Sequence, residues 1–379
     1  MLCSQISISG NSSIVSGHIN LETFPSVQIL PNQHLHRRIQ YLSEVRNRAL
    51  RPLDGDFEFN MTSIDDYTNS SFAAPDLPVF DKLLFLNDIV FSAADAADLL
   101  FATNLNPHTG RTDYRAACAM DFINAFKFYD MFALRDIEGY KGGLPFYPFF
   151  STAGHGLSRA AMLSQTDAVP VRSCWGGMAA FEARWFQRDA TRPDAKPLRF
   201  RAEEELFWES SECCLIHADL AYAAAHSSSS SDVDPATTTA TDALDLGIYV
   251  NPYVRVAYSA RAHAWLAFTR RFERLYTAGH TLAGVAARLP VRQLRRTEAA
   301  GARVRHAEWV YDGLDQPAVA ATNASVPLAD VGHWESRRRV ARPGGFCGYR
   351  FMLALKQAWA PGERMWVKIE APAGWSEEG

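Results

Sequence analysis

The residues best placed to do chemistry are Asn87 and Asp88, which follow the dense apolar run Leu83 to Leu86 in FDKLLFLNDIVF. A carboxylate just past a buried strand suits a hard divalent cation that also touches two phosphates. A metal held there neutralises a departing diphosphate and eases the breaking of the bond to it. Asn87 can add a carbonyl oxygen or orient a metal-bound water. The plainer alternative is that Asn-Asp turns the chain and caps the next helix. Arg46 and Asn47 lie on a helix leading into the Asp88 strand, where an arginine can reach the same diphosphate. Their alternative is a surface helix laced by i,i+4 pairs, such as Glu44 with Arg48. Asp121 closes a second apolar run, YRAACAMDF, and stands with Arg46, Asn47 and Asn87 on the phosphate side.

The elements that must position these groups follow from hydrophobic spacing. RRIQYLSEVRNRAL puts Ile39, Leu42, Val45 and Leu50 near helical spacing, with charges on the other side. LLFL reads as a short buried strand. Ser92 with Asp95 three residues on, followed by AADLLFA, is a capping-box start to a helix. TDYRAACAMDF predicts the next strand and GIYVNPYVRVAY another. Helix and strand in alternation predict an α/β fold with a mainly parallel sheet, whose strands place ligands at their carboxyl ends. Asp88 and Asp121 both fall at such ends.

Length and composition bound the answer. The chain has 379 residues, 47% hydrophobic and 21% charged, which excludes wholesale disorder, collagen and coiled coil. No apolar run is long enough to span a membrane as a helix. Net charge is −4, unevenly spread: residues 261–379 hold 18 Lys+Arg against 11 Asp+Glu. RLPVRQLRRTEAAGARVR and ESRRRVARP read as solvated helix faces, because no aromatic interleaving or nucleic-acid motif accompanies them. Six cysteines without a CxxC pair argue against a zinc knuckle. Cys174 and Cys213 suit a disulfide better than nucleophilic roles. Sequons begin at Asn11, Asn60, Asn69 and Asn323, which fits a secretory lumen. HSSSSSDVDPATTTATD is a low-complexity loop.

Taken in order, RRIQYLSEVRNRALRPL, KLLFLNDIVFSAADAADLL, YRAACAMDF, RDIEG, PVRSCWGGMAAF, LRFR, SSECCLIHADL, YVNPYVRVAY and GGFCGYR resemble the fungal capsule-associated α-1,3-mannosyltransferase family, glycosyltransferase family 69. The resemblance spans roughly Arg37 to Trp375. It implies a GT-A-like nucleotide-sugar-binding sheet flanked by helices, with a divalent cation, usually Mn²⁺. The implied reaction moves mannose from GDP-mannose to a mannan or other mannose-containing glycan, with α-1,3 linkage and retained configuration. A luminal Golgi setting in the secretory pathway is implied, with membrane attachment through an N-terminal anchor and no nucleic-acid partner. That anchor and the family's first strand precede the point where this chain begins. Residues 1–36 are then a remnant of the nucleotide-binding region, in which SISGNSS is the end of a strand. Residues 37–375 are the transferase domain, with mobile loops near 54–78 and 226–243. Gly176 in SCWGG departs from the polar residue, often Asn, expected of the family.

Under this resemblance Asp88 is the metal and catalytic carboxylate. His217 in CLIHADL is a further metal ligand or phosphate hydrogen-bond partner, unless it is a satisfied strand residue beside Leu215 and Ile216. Glu212 and Asp219 flank it as further catalytic carboxylates that can hold acceptor hydroxyls, unless they are surface charge. Trp175 can stack on a sugar face or serve the core. Arg135 and Asp136 can form an internal ion pair that shapes an acceptor cleft, to which Gly176 also belongs. Electrostatic stabilisation of the leaving group supplies most of the acceleration, so no glycosidase-like carboxylate pair is needed. The alternative is a catalytically inactive capsule or cell-wall polysaccharide assembly or export factor of the same family. A metal-dependent hydrolase ranks last, for want of clustered His and Asp ligands.

Overall fold

The computed structural model describes residues 4–8, 11–15, 24–30, 33–54, 79–188, 196–227, 245–289, 295–312, 332–356, 360 and 363–374. The segments near 54–78 and 226–243 expected to be mobile lie almost wholly outside them, as do the sequons at Asn60, Asn69 and Asn323. In chain order the elements are β1 (Ser4–Ile8), β2 (Asn11–Val15), β3 (Val27–Leu30), β4 (Gln33–Leu35), α1 (Arg38–Leu50), β5 (Lys82–Leu86), α2 (Ala93–Phe101), β6 (Ala116–Phe122), β7 (Arg135–Asp136), α3 (Leu157–Ser164), β8 (Val169–Ser173) and β9 (Met178–Glu182). There follow β10 (Glu209–Ser210), α4 (Glu212–Ser227), β11 (Ile248–Ala257), α5 (Ala260–Arg270), α6 (Tyr276–Ala286), β12 (Arg303–Tyr311), β13 (Gly332–Val340), β14 (Gly348–Tyr349), β15 (Phe351–Leu355) and β16 (Trp366–Glu370).

The chain divides into two compact units, one of residues 1–52, 199–212 and 296–379, the other of residues 53–198 and 213–295. In the first, hairpins β12–β13 and β15–β16 supply most of the framework. Leu35, Phe207, Trp309, Met352 and Ala354 form its core. Glu209 is fully buried there, 3.4 Å from Arg37 and accepting from the Leu353 amide at 2.8 Å. Burial pushes its carboxyl above the ordinary range, with Arg37 opposing. Of the arginine-rich runs expected on helix faces, Arg303 and Arg305 fall on β12 and Arg337, Arg338 and Arg339 on β13. Arg303, Arg305, Ala307 and Trp309 share one face of β12, which passes from exposed at the two arginines to buried at Ala307 and Trp309.

The second unit is built on a six-stranded sheet of order β5-β9-β6-β11-β8-β7. Only β6 and β11 pair in parallel; every other adjacent pair is antiparallel, which corrects the mainly parallel expectation. The causes are β9, which enters between β5 and β6 in the opposite direction, and β8, which runs against both β11 and β7. Those two strands and β11 still share one direction, so their carboxyl ends lie along one edge. β6 is buried at every residue, and its small side chains let α2 pack over the sheet through Leu99. The capping box is present, Ser92 and Asp95 exchanging hydrogen bonds at the start of α2. Within β11, Pro252 lacks an amide donor and the ladder to β6 shifts register between Val250 and Arg255. Asn251 steadies this break by donating to Thr103 Oγ1 at 2.9 Å and accepting from the Tyr253 amide at 2.9 Å.

Candidate functional site

At the shared carboxyl edge the chain gathers Asn87 and Asp88 after β5, Asp121 near the end of β6, Tyr258 after β11, and Trp175 and Gly176 before β9. Asp88 is exposed, whereas Asn87 is half-buried. The Asn87 amide donates to the Gly177 carbonyl at 2.9 Å, and Asn87 Oδ1 accepts from Trp175 Nε1 at 3.2 Å. Two hydrogen bonds between Val90 and Ala257, at 2.7 and 3.1 Å, tie the loop after Asp88 to the end of β11.

The same edge holds a carboxylate pair. Asp121 is 1% exposed; its Oδ2 accepts from the Tyr258 hydroxyl at 2.7 Å and its Oδ1 from the Asp130 amide at 3.0 Å. Asp130 in turn accepts from the Gly176 amide at 3.2 Å and the Ala133 amide at 3.0 Å. Burial, reinforced by the Asp130 charge, pushes the Asp121 carboxyl up to about 7 against the Tyr258 hydrogen bond. The Tyr258 hydroxyl is pushed up as well, by burial and then by the Asp121 charge.

A measurable pH dependence follows. The folded value for Asp121 lies above its ordinary 3.8, so the native state keeps a proton that the unfolded chain loses between about pH 4 and 7. This contribution to stability is therefore full below pH 4 and is lost as pH rises through 7. Between those limits its slope is about 1.4 kcal/mol per pH unit. Asp121→Asn is expected to remove that share of the slope in urea unfolding followed from pH 5 to 8. An unchanged slope would place the carboxylate in solvent rather than under Tyr258.

Gly176 has φ +58°, and a Cβ built there would stand 1.8 Å from the Ala119 carbonyl oxygen. Its contribution is an amide donated to Asp130, so the departure from a polar residue is required by this backbone and does not empty a side-chain contact. Gly176→Ala is expected to cost about 3 kcal/mol, combining left-handed strain with overpacking. Thermal or urea unfolding reads this, and a loss below about 1 kcal/mol would show that the turn relaxes freely.

Other expected site residues serve the framework. Trp175 is 3% exposed and packs against Phe85 and Phe181, so its ring faces the core rather than a sugar. Arg135 is fully buried and donates to the Phe132 and Leu134 carbonyls, while Asp136 accepts from the Glu138 and Tyr140 amides. Asp136 thereby holds the turn around Gly139, and Arg135 the segment that precedes it. Burial pushes Asp136 up to about 7.

His217 lies on helix α4, not on a strand, and is fully buried. Its Nδ1 is 2.7 Å from the Cys213 carbonyl, which can only accept, so Nδ1 carries the proton. Nε2 then faces Cys118 and Cys174, 3.9 Å from each sulfur, and burial lowers the imidazole to about 4. Those two cysteines are bonded to one another, so Cys174 is in a disulfide as expected, whereas Cys213 is a buried free thiol, which corrects the disulfide expected of it. Cys118, Cys174 and His217 form the one group of three close ligand types among the described residues. With both sulfurs in a disulfide, that group offers no thiolate to a metal. His217 is thus a core residue packed on a disulfide and on the Phe181 ring. Asp219, two residues after His217, is half-buried on the same helix.

In the first unit Arg46 pairs with Glu212 at 3.1 Å and lies over the Phe200 ring. Asn47 clamps the Phe200 backbone, donating to its carbonyl and accepting from its amide at 2.8 Å each. The amide group is thereby committed to holding that segment rather than a donor. Glu44 and Arg48 do form the i,i+4 pair, at 2.9 Å. Asn47 and Arg48 also line a cavity of about 400 Å³ with Phe24, Gln40 and Phe200.

Sequence reasoning missed Asp130 and Tyr258. A signal existed for each: Tyr258 closes its strand as Asp121 nearly closes its own, and Asp130 ends the aromatic run FINAFKFYD.

A mixed α/β sheet that presents an exposed acid and a buried carboxylate pair at its strands' carboxyl ends places them where sheets of this kind bind ligands. The family model described as cryptococcal mannosyltransferase 1 matches residues 4–219, more than half of the chain, and the chain belongs to that family. No curated protein and no solved structure matches it. The family name implies a glycosyltransferase of the mannosyl-transferring kind, with a sugar donor and a glycan acceptor.

Proposed function

We propose that this chain transfers mannose from GDP-mannose to a mannose-containing glycan, forming an α-1,3 linkage with retention of configuration. The observation that carries this reading is the exposed Asp88 at the carboxyl edge of the sheet, in a chain of the mannosyltransferase family. Asp88 would hold a divalent cation, Mn²⁺ by preference, and the residues fit one that takes a single protein carboxylate and completes its shell with phosphate oxygens and water. When bound, such a cation neutralises charge on the departing diphosphate. Asn87, fixed by Trp175 and Gly177, sets the direction of the Asp88 turn. Asp130, whose charge helps Asp121 keep its proton, adds a negative field that favours a cation at this edge.

The test incubates the full chain with GDP-mannose, Mn²⁺ and a mannoside acceptor and follows release of GDP together with the glycan product. Turnover that needs the metal supports the reading. Binding of GDP without product over long incubation would select the inactive assembly factor instead. Turnover indifferent to metal would remove Asp88 from its role.

A further inference from the structure

The excess of arginine in the last third of the sequence includes a segment that the transferase reading does not use. Residues 259–289 contain five arginines and a single acid, Glu273. That acid is buried and paired with Arg255 at 2.7 Å, so it does not offset the surface charge. The segment forms α5, a short 3₁₀ turn and α6. α5 turns Ala262, Leu266 and Thr269 inward, and α6 buries His280 alone among its residues.

What these helices show to solvent is unusually apolar. Trp265, Phe268, Phe272 and Leu275 are all exposed, and the three aromatic rings follow one another at 5.6 and 5.3 Å. From Tyr276 to Ala287 there is no Asp, Glu, Lys or Arg, yet Leu282 is 74% and Val285 70% exposed. Exposed arginines, Arg261, Arg271, Arg274 and Arg288, are set among them. A solvated helix face has no reason to combine bare aliphatic and aromatic side chains with charge of one sign.

We propose that α5 and α6 form an interfacial surface that docks this protein on an anionic lipid bilayer. Aromatic and aliphatic side chains enter the headgroup boundary while the arginines reach lipid phosphates and carboxylates. Charge complementarity selects this occupant. The face has no acid of its own to meet a mixed-charge protein surface, and an anionic bilayer offers negative charge and apolar depth together. No described helix is long and apolar enough to cross a membrane, so these helices lie in the interface plane. The surface continues onto the loop between Asp121 and Asp130. There Phe126 is exposed and meets the Tyr276 ring at 6.3 Å, and Thr269 donates to the Ala125 carbonyl at 2.8 Å. That loop, which ends at Asp130, therefore borders the docking surface. The inference is independent of the transferase reading.

Flotation of the full chain with vesicles tests it, comparing phosphatidylcholine alone with phosphatidylcholine containing about one third phosphatidylserine. Binding is expected on the anionic vesicles at about 0.1 M salt and should fall steeply towards 1 M, where the screening length shrinks to about 3 Å. Leu282→Gln with Val285→Gln should lower partitioning about tenfold. Arg271→Gln with Arg274→Gln should lower it about fivefold for each charge removed. These positions are exposed, so an unchanged urea midpoint confirms that each variant folds. Failure to float with anionic vesicles, or equal flotation of the variants, overturns the proposal. A dimer that the Leu282 and Val285 changes dissolve, without vesicle binding, also overturns it and gives the face to a second copy.

Discussion

Asp88→Asn is expected to lower Mn²⁺-dependent turnover of GDP-mannose about a thousandfold, or about 4 kcal/mol of transition-state stabilisation. Asparagine keeps the shape and the turn but removes the charge that would hold a cation against a diphosphate. Because Asp88 is exposed, the change should leave the unfolding midpoint untouched, which separates a chemical effect from a structural one. Trp175→Phe makes a useful contrast. It keeps the packing against Phe85 but removes the hydrogen bond to Asn87 Oδ1, so it should cost turnover about tenfold through lost positioning. Turnover of Asp88→Asn within a factor of ten of the parent would sink the assignment.

Removal of the Cys118–Cys174 disulfide, by alanine at both positions, should lower unfolding free energy by about 4 kcal/mol. The bond closes a loop with a sequence separation of 56 residues, and a loop of that length restricts the unfolded chain strongly. It also staples β6 to the segment that carries Trp175 and Gly176. Urea unfolding followed by near-ultraviolet dichroism measures the loss. A change below about 1 kcal/mol would mean that the two thiols are not joined in the folded protein.

Much of the local structure was legible in the amino-acid order. The helix over Arg38–Leu50, the strands ending near Asp88 and Asp121, and the Ser92–Asp95 box all appear where spacing put them. Each depends on neighbours within a few residues, so the signal is carried locally. CLIHADL failed for the opposite reason. Its apolar run suits a buried strand or a buried helix equally well, and burial of nearly every residue in the first turns of α4 removes the periodicity that would tell them apart.

The sequence by itself determined the family, the acid at the end of a strand and the uneven charge. Tertiary structure alone decided which way β9 runs, which cysteine joins Cys174, and that Trp175 and His217 belong to the core. It also decided that the arginines of α5 and α6 share a surface with bare apolar side chains. Strand direction, disulfide partner and exposure are set by contacts between residues far apart in the chain, and local order carries no record of them.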